Sequence, residues 1–569
     1  MSQGKRRAAS PSRSRPGLSS RRIALVGSSG GSTLRGAINS EVDGLRAQLG
    51  QLPGGVTLRA VCFVQASCPL DHATNDSPAK LWTARADTVI CTSDSTLQKC
   101  NQAARQQDAD LARLVQAGEL DAIIVVSAQF GKGGVNAAML AAAVATRTPL
   151  LGTGGTSLGQ AVEAGAELLQ LSGSVATTAE QRAIASTAAL ARHWGLAYTP
   201  KLPPAEADVL PMLDAILPVA LTLAVLHAGS TLVLDLANTL PLFVPIAAVA
   251  RQAGFVLYYA SRIALPVALA AIAARRTAQL GESGLIAGVI AGALTTAQAA
   301  SGGGGAEADG GVSAAALAAG MVAGFAARRA LAATHVTGLP ATASTLICVG
   351  GSGLAGGAIG LALAPFAAAS TLLVRHAIAW PVSSPSVPWL GRVLLGGAMG
   401  VLTKWGSIHG YYHSVMFPLI LIEMESGGMA VLGALDACCL CAVCAGVCTA
   451  VATTTAASAP AEAAACRRAV RINLLFGDYV EACYPYMAKS AHVNAGAYLG
   501  AWLAGAVLVS GGDPSTRSSA YLPLPLACAL SERPGNMALA ASLAFVAPAA
   551  VALAVGGGGT PPKGRKAAK

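Results

Sequence analysis

The sequence predicts two joined architectures, an N-terminal α/β domain built on a parallel sheet and an all-α polytopic transmembrane domain. Hydrophobic residues make up 53% of the 569 positions and charged residues only 12%, which is far from soluble composition. The charges concentrate in about the first 200 positions; beyond them, Ala/Leu/Val/Gly runs recur at near-spanning length. Between the two parts lie Pro200, Pro203 and Pro204, and proline fixes φ and does not continue a helix. The expected layout is a basic tail over 1–20, a ligand-binding α/β domain over 21–198, a linker over 199–209, a membrane domain over 210–558 and a second basic tail over 559–569.

In the first part, 22–27 reads as a buried strand running into a Gly/Ser loop at 27–33, with a helix to about Leu49. Further strands are expected at 56–64, 121–127 and 149–152, with helices at 97–117, 137–146 and 178–194. Alternation of this kind predicts a Rossmann-like parallel sheet covered by helices. Ligands of such sheets bind at strand C-termini, where backbone N–H groups hold anions. The candidate loop residues are therefore Gly27, Ser28, Ser29 and Gly30, then Gly154, Gly155, Thr156 and Ser157, and Ser174, with a small phosphorylated or carboxylated molecule as the expected ligand. Lys132 does not complete a Walker A loop, and the glycines lack the GxGxxG spacing. No Ser-His-Asp or paired-carboxylate arrangement nominates catalysis, and no cofactor is expected.

In the second part, apolar stretches at 210–227, 240–249, 255–273, 284–299, 312–327, 344–373, 390–402, 415–422, 430–457, 495–510 and 536–555 give about ten helical spans plus re-entrant segments. Arg275 and Arg276, Arg328 and Arg329, and Arg467, Arg468 and Arg471 fall between them. The positive-inside rule puts these on the cytosolic side, with the N-terminal domain. This distribution of the net charge of +11 argues against a nucleic-acid surface. The acid-free tail 1–20 reads as a disordered basic arm, with a resemblance to a transit peptide as the alternative; a plasma or inner membrane is expected, with an organellar one open. Of thirteen cysteines, Cys438, Cys439, Cys441, Cys444 and Cys448 share one apolar stretch and would point in several directions, as packing residues rather than zinc ligands.

Polar residues at membrane depth normally line a cavity or pathway. They form two clusters, 403–413 with Glu423 and Glu425 behind it, and 476–486 with Lys489 and His492. Both mix helix-breaking Gly or Pro with aromatic and charged side chains, as in a broken helix at a substrate site; interfacial loops with an aromatic belt are the alternative. His409 and His413, four apart, also have the spacing of a metal pair, without a third ligand.

The order of this half resembles enzyme IIC, the sugar-translocating subunit of the phosphoenolpyruvate-dependent phosphotransferase system, of the fructose type, over about 211–530. The basic stretch Arg467–Arg471 leads to Glu481, Ala482, Cys483, Tyr484, Pro485 and Tyr486, where that family has a Glu-Gly-Ala-Ile-Pro-Phe segment. Gly406 matches a second family segment, in which Ser407 replaces Pro and His409 replaces Asn. The resemblance implies a membrane sugar transporter, commonly a homodimer in the bilayer. It implies sugar contacts from Gly406, Ser407, His409, His413, Glu481, Pro485 and Tyr486, and separate IIB and IIA phosphocarrier partners. The family's phosphocysteine loop should follow the first strand, where this chain has Gly27, Ser28, Ser29 and Gly30. Cys68-Pro69-Leu70-Asp71-His72 echoes that loop after a later strand. Phosphorylation-independent transport and a membrane-bound metabolite sensor remain as alternative readings.

Overall fold

The computed structural model describes residues 20–30, 37–68, 70–85, 88–131, 133–153, 155–172, 179–240, 242, 244–301, 311–339, 341–384, 386–424, 429–475, 477, 479–510, 516–520 and 522–556. The chain forms two compact units.

The first unit holds a seven-stranded sheet in the order β4-β3-β2-β1-β5-β6-β7. Its strands are β1 (Arg21–Gly30), β2 (Val56–Ala66), β3 (Pro78–Arg85), β4 (Thr88–Thr96), β5 (Ala122–Val126), β6 (Leu150–Thr153) and β7 (Leu168–Ser172). Successive side chains of a strand point to opposite faces, and β1 shows it: Ile23 and Leu25 enter one core, Ala24 and Val26 the other. Helices α1 (Ala37–Leu49) and α5 (Ala179–Trp194) cover the Ile23 face. Helices α2 (Leu97–Gln116), α3 (Ala137–Thr146) and α4 (Gly155–Glu163) cover the opposite one.

The expected strands and helices are present, with two corrections. The sheet is mixed rather than parallel, because β3 runs antiparallel to both β2 and β4. The expected loop at Gly27 is strand as far as Gly30, because β2 is long enough to keep pairing it, ending with Gly30 opposite Ala66. The β3–β4 edge carries the cross-strand ion pair Lys80–Asp94 at 3.1 Å, an exposed pair of the kind that contributes about 0–1 kcal/mol.

After α5 the chain is irregular up to Asp208, yet its start is fixed. The Gln48 side chain accepts from Tyr198 Oη at 2.8 Å and from Lys201 N at 3.0 Å, and donates to Lys201 O at 2.8 Å. Residues 278–283 and 325–352 belong to this unit as well.

The second unit is helical. The helices that follow the sheet, of which α10 lies wholly in the first unit and α7, α8, α9 and α11 begin or end in it, are α6 (Val209–Thr239), α7 (Val244–Ala278), α8 (Glu282–Ser301), α9 (Val312–Thr337), α10 (Ala341–Leu346), α11 (Ser352–Ser383), α12 (Trp389–Ile408), α13 (Phe417–Met424), α14 (Val431–Leu435), α15 (Val443–Thr454), α16 (Pro460–Leu475), α17 (Tyr484–Lys489), α18 (Ala491–Ser510), α19 (Leu524–Ala529) and α20 (Pro534–Gly556). π-Helical turns at Ile347–Gly351, Tyr412–Met416 and Asp436–Ala442 join α10 to α11, lead into α13 and join α14 to α15.

Among the described residues, six helical stretches are long and apolar enough to cross a membrane: Val244–Ala278, Val312–Thr334, Ala343–Ile378, Val431–Thr454, Ala491–Ser510 and Pro534–Ala554. That is compatible with a multi-pass membrane protein. The expected separate spans at 240–249, from Val244 onward, and 255–273 fall on the single helix α7, which carries Arg251 and Gln252 without breaking.

The helices approach closely through small residues, as helices do where lipid removes the hydrophobic drive to associate. A Cβ on Gly396 or Gly400 of α12 would overlap the backbone of Gly505 or Ala501 of α18, and one on Gly446 of α15 that of Phe545 of α20. Gly288 and Gly320 press in the same way on Ala270 of α7.

Candidate functional site

Helix α12 continues six residues beyond the expected span, so the first polar cluster begins on a helix. Thr403, Lys404 and Gly406 are buried, whereas Trp405 and His409 are exposed. Lys404 heads the fully buried side chains. Its Nζ donates to Cys483 Sγ at 3.4 Å and stands 5.1 Å from the centroid of the Tyr484 ring. One turn on, Ser407 Oγ is hydrogen-bonded to Tyr484 Oη.

The partner segment is built on Asn473, buried on α16. Its amide donates to Tyr479 O at 2.8 Å and to Ala469 O at 3.0 Å, and its oxygen accepts from Tyr479 N at 3.3 Å. Gly477, at φ +73°, makes the preceding turn, a conformation that glycine adopts without a Cβ penalty. The 3₁₀ turn Val480–Cys483 then delivers Cys483 and Tyr484 to Lys404. This helix end and the anchored segment bring a buried ammonium, a thiol, two hydroxyls and a buried amide into one neighbourhood.

Of the sequence-predicted residues, the structure brings Ser407 to this constellation, with buried Gly406 beside it on α12. His409 turns outward: its Nδ1 lies 2.8 Å from Trp405 O, an acceptor, so the proton sits on Nδ1, and its ring stacks on Trp405 at 4.6 Å. Tyr411 also stacks on Trp405, with ring centroids 5.3 Å apart. Glu481 and Pro485 are exposed, and among the described residues no contact joins Glu481 to His409. Tyr486 accepts from Cys466 Sγ at 3.2 Å. His413 lies in a π-helical turn, its side chain outside what is described. Among the described residues no cluster of three or more His, Cys, Asp or Glu could hold a metal ion.

Four residues escaped the sequence reading as site candidates: Lys404, Tyr484, Asn473 and Asp436. Asp436, buried at the start of its π-helical turn, accepts from Tyr412 Oη at 2.8 Å. A charged residue inside an apolar run was the available signal for it. Glu423 is buried and accepts the N–H groups of Val431 at 2.7 Å and Leu432 at 3.0 Å, capping α14. The five clustered cysteines are buried; Cys438 points toward Met537, Cys439 toward Ala501 and Cys441 toward Gly477, while Cys444 reaches Tyr479 O and lies 3.9 Å from Cys448 Sγ.

In the sheet unit, β1 turns to β2 on one side and β5 to β6 on the other, so the topological switch point lies at the C-terminal ends of β1 and β5. Ser28 Oγ donates to Ser127 O across it at 2.7 Å. A Cβ on Gly27 would overlap Val126 O and one on Gly152 would overlap Val125 O, so β5 is clamped between two glycine backbones at φ +150° and +142°. Ser29 and Gly30 continue β1. Gly155, Thr156 and buried Ser157 open α4. Gly154, Ser174 and Lys132 lie outside the described residues. Two cavities of about 10 and 20 Å³ lie by Gly152, Thr153 and the Arg182–Glu41 ion pair, each roomy enough for one water.

Buried Asp108 of α2 accepts from Ala138 N at 2.8 Å and Met139 N at 3.3 Å, capping α3. Burial raises its carboxyl to about 6, against the lowering by those two N–H groups. Burial, then the Asp108 charge, pushes the Cys62 thiol up to about 12. Cys68, just after β2, sits 3.7 Å from Ser77 Oγ. No protein-family model, curated protein or solved structure matches the chain, so its function is argued from these residues.

Proposed function

We propose that the chain is a multi-pass membrane transporter of a small, sugar-like polar solute, with its N-terminal domain binding a small phosphorylated ligand on the cytosolic side. The observation that carries the transport reading is Lys404, a fully buried ammonium on a glycine-packed helix, whose hydrogen bond goes to Cys483 in a 3₁₀ turn rather than to a carboxylate. Ionisable residues at membrane depth mark solute and ion pathways because burying them for structure alone costs several kcal/mol. Ser407, Tyr484 and Cys483 supply neutral polar groups for solute hydroxyls. The resemblance to enzyme IIC argues for a sugar, for about ten spans and for a homodimer. A Rossmann-like reading of the sheet unit rests on its switch point between β1 and β5.

Uptake of labelled sugar into vesicles, with and without phosphoenolpyruvate and phosphocarrier proteins, tests this directly. Phosphorylated product that depends on the carriers supports the phosphotransferase form. Unmodified sugar inside, unaffected by Cys68→Ser, leaves a phosphorylation-independent transporter. Absence of uptake in both conditions counts against transport.

The sensor reading draws on a different observation. Gln181 of α5 donates to Ser283 Oγ at 3.0 Å and accepts from Thr345 Oγ1 at 3.1 Å, so a helix of the sheet domain is hydrogen-bonded to the first turn of α8 and to α10. Ligand-induced movement of α5 would reach those segments through this amide and through Ile184, which packs beside Leu280 and Cys348. Transport that persists in Gln181→Ala but no longer responds to the domain's ligand would support a sensing role.

A further inference from the structure

We infer that the solute accepted beside Lys404 carries an oxyanion: an acidic sugar derivative, with a phosphate or carboxylate group, rather than a neutral sugar. The inference rests on the transport reading above and names the substrate class of the same site. An ammonium offers three donors. Among the described residues Lys404 spends one of them, on a thiol sulfur at 3.4 Å, and faces a ring at 5.1 Å. A thiol is a weak acceptor and neither partner is an anion.

The two buried carboxylates described in the helical unit have partners of their own, Glu423 the two N–H groups that it caps and Asp436 Tyr412. Among the described residues Lys404 makes no ion pair. A charge enclosed in this way is sustained when an anion arrives to pair with it, and charge-assisted hydrogen bonds are about twice as strong as neutral ones. The hydroxyls of Ser407 and Tyr484 and the Cys483 thiol stand beside the ammonium, suited to the solute's own hydroxyls and to the remaining oxyanion atoms. Asp478 lies outside the described residues, five positions before Cys483 in the sequence, and is the acidic side chain that the experiment must separate from a bound solute.

The full-length protein in proteoliposomes is tested with labelled fructose 6-phosphate, gluconate and fructose, by uptake and, independently, by equilibrium binding in detergent. Binding of an anionic probe in preference to fructose is expected, and the two anions tell a phosphate site from a carboxylate site. Lys404→Met should weaken anion binding by about 10- to 100-fold, the loss of one hydrogen bond to a charged group, and Lys404→Arg should retain part of it. Fructose binding better than both anions, or anion binding unchanged in Lys404→Met, overturns the inference. Restoration of wild-type binding in Lys404→Met with Asp478→Asn also overturns it, since the lysine would then neutralise Asp478. Anion binding without uptake keeps the inference and breaks the transport reading; fructose uptake without anion binding does the reverse.

Discussion

The sheet unit and the helical unit each bury a carboxylate that caps a helix, but among the described residues only the helical unit buries an ammonium. Asp108 projects from α2 to cap the first turn of α3, and Glu423 projects from α13 to cap α14. In both, the anion satisfies backbone N–H groups that a helix start leaves open, and favours the positive end of the helix dipole. The two are structural answers to one local problem. Lys404 answers no such problem: it caps no helix end, and its hydrogen bond goes to a sulfur. A buried charge with backbone partners speaks for folding, and one without them speaks for a ligand.

The largest expected effect breaks the helical packing that frames this comparison. Gly400→Val places a branched side chain where even a Cβ overlaps Ala501 O, so α12 and α18 separate; loss of folded protein in detergent gel filtration is the readout. Next, Glu423→Ala strands two buried N–H groups at about 1–3 kcal/mol each, and thermal unfolding of purified protein should fall accordingly. Glu423→Gln keeps an acceptor and should lose less. If both variants unfold like wild type, Glu423 is not a cap and the comparison fails.

Asp108 gives a smaller effect that depends on pH. Its folded carboxyl lies at about 6 against an ordinary 3.8, so the folded state holds its proton where the unfolded chain has lost it. The stabilisation is full below about 4 and is lost as pH rises through about 6, by at most about 3 kcal/mol. Hydrogen exchange of α2 and α3 between those values should quicken with rising pH in wild type, and Asp108→Asn should flatten the slope while keeping an acceptor for the Ala138 and Met139 N–H groups.

The smallest expected stability effect belongs to Lys404→Met. Replacing a buried charge by an apolar isostere is often neutral or stabilising, so unfolding should shift by no more than about 1 kcal/mol while anion binding falls. A large loss of stability would return Lys404 to the same class as the two caps.

The sequence made much of this legible where the physics is local. Strands 22–27, 121–127 and 149–152 were visible as apolar runs, and the helices at 97–117 and 137–146 by composition. β4 was not, because Thr-Val-Ile-Cys-Thr-Ser-Asp-Ser-Thr is an exposed, hydroxyl-rich edge, and an edge strand without a buried face lacks the alternation that betrays one. The extension of β1 to Gly30 depends on β2, a partner 36 residues further on in register. Of the site, Ser407 and the 476–486 segment were found through their Gly and Pro breaks. Lys404 lay inside the recognised cluster but was passed over, since burial is a property of the packed helix and not of the residue. Asn473 and Asp436 were hidden in helices whose neighbours are apolar, and their roles appear only with the loops and turns that they hold.

The π-helical turn at Asp436–Ala442 sets the phase of the stretch that contains it. A wider turn accommodates one residue more than an α-helix and rotates everything after it by about 100°. Within Val431–Thr454, Asp436 meets Tyr412 at the start of that turn, and beyond it Cys444 meets the Tyr479 loop. Shortening the turn by one residue would leave composition and hydropathy almost untouched, yet would swing Cys444 about a quarter of the way round the helix, off the loop that Asn473 holds. The alignment of the two polar neighbourhoods is thus encoded by a residue count, which no single side chain reveals.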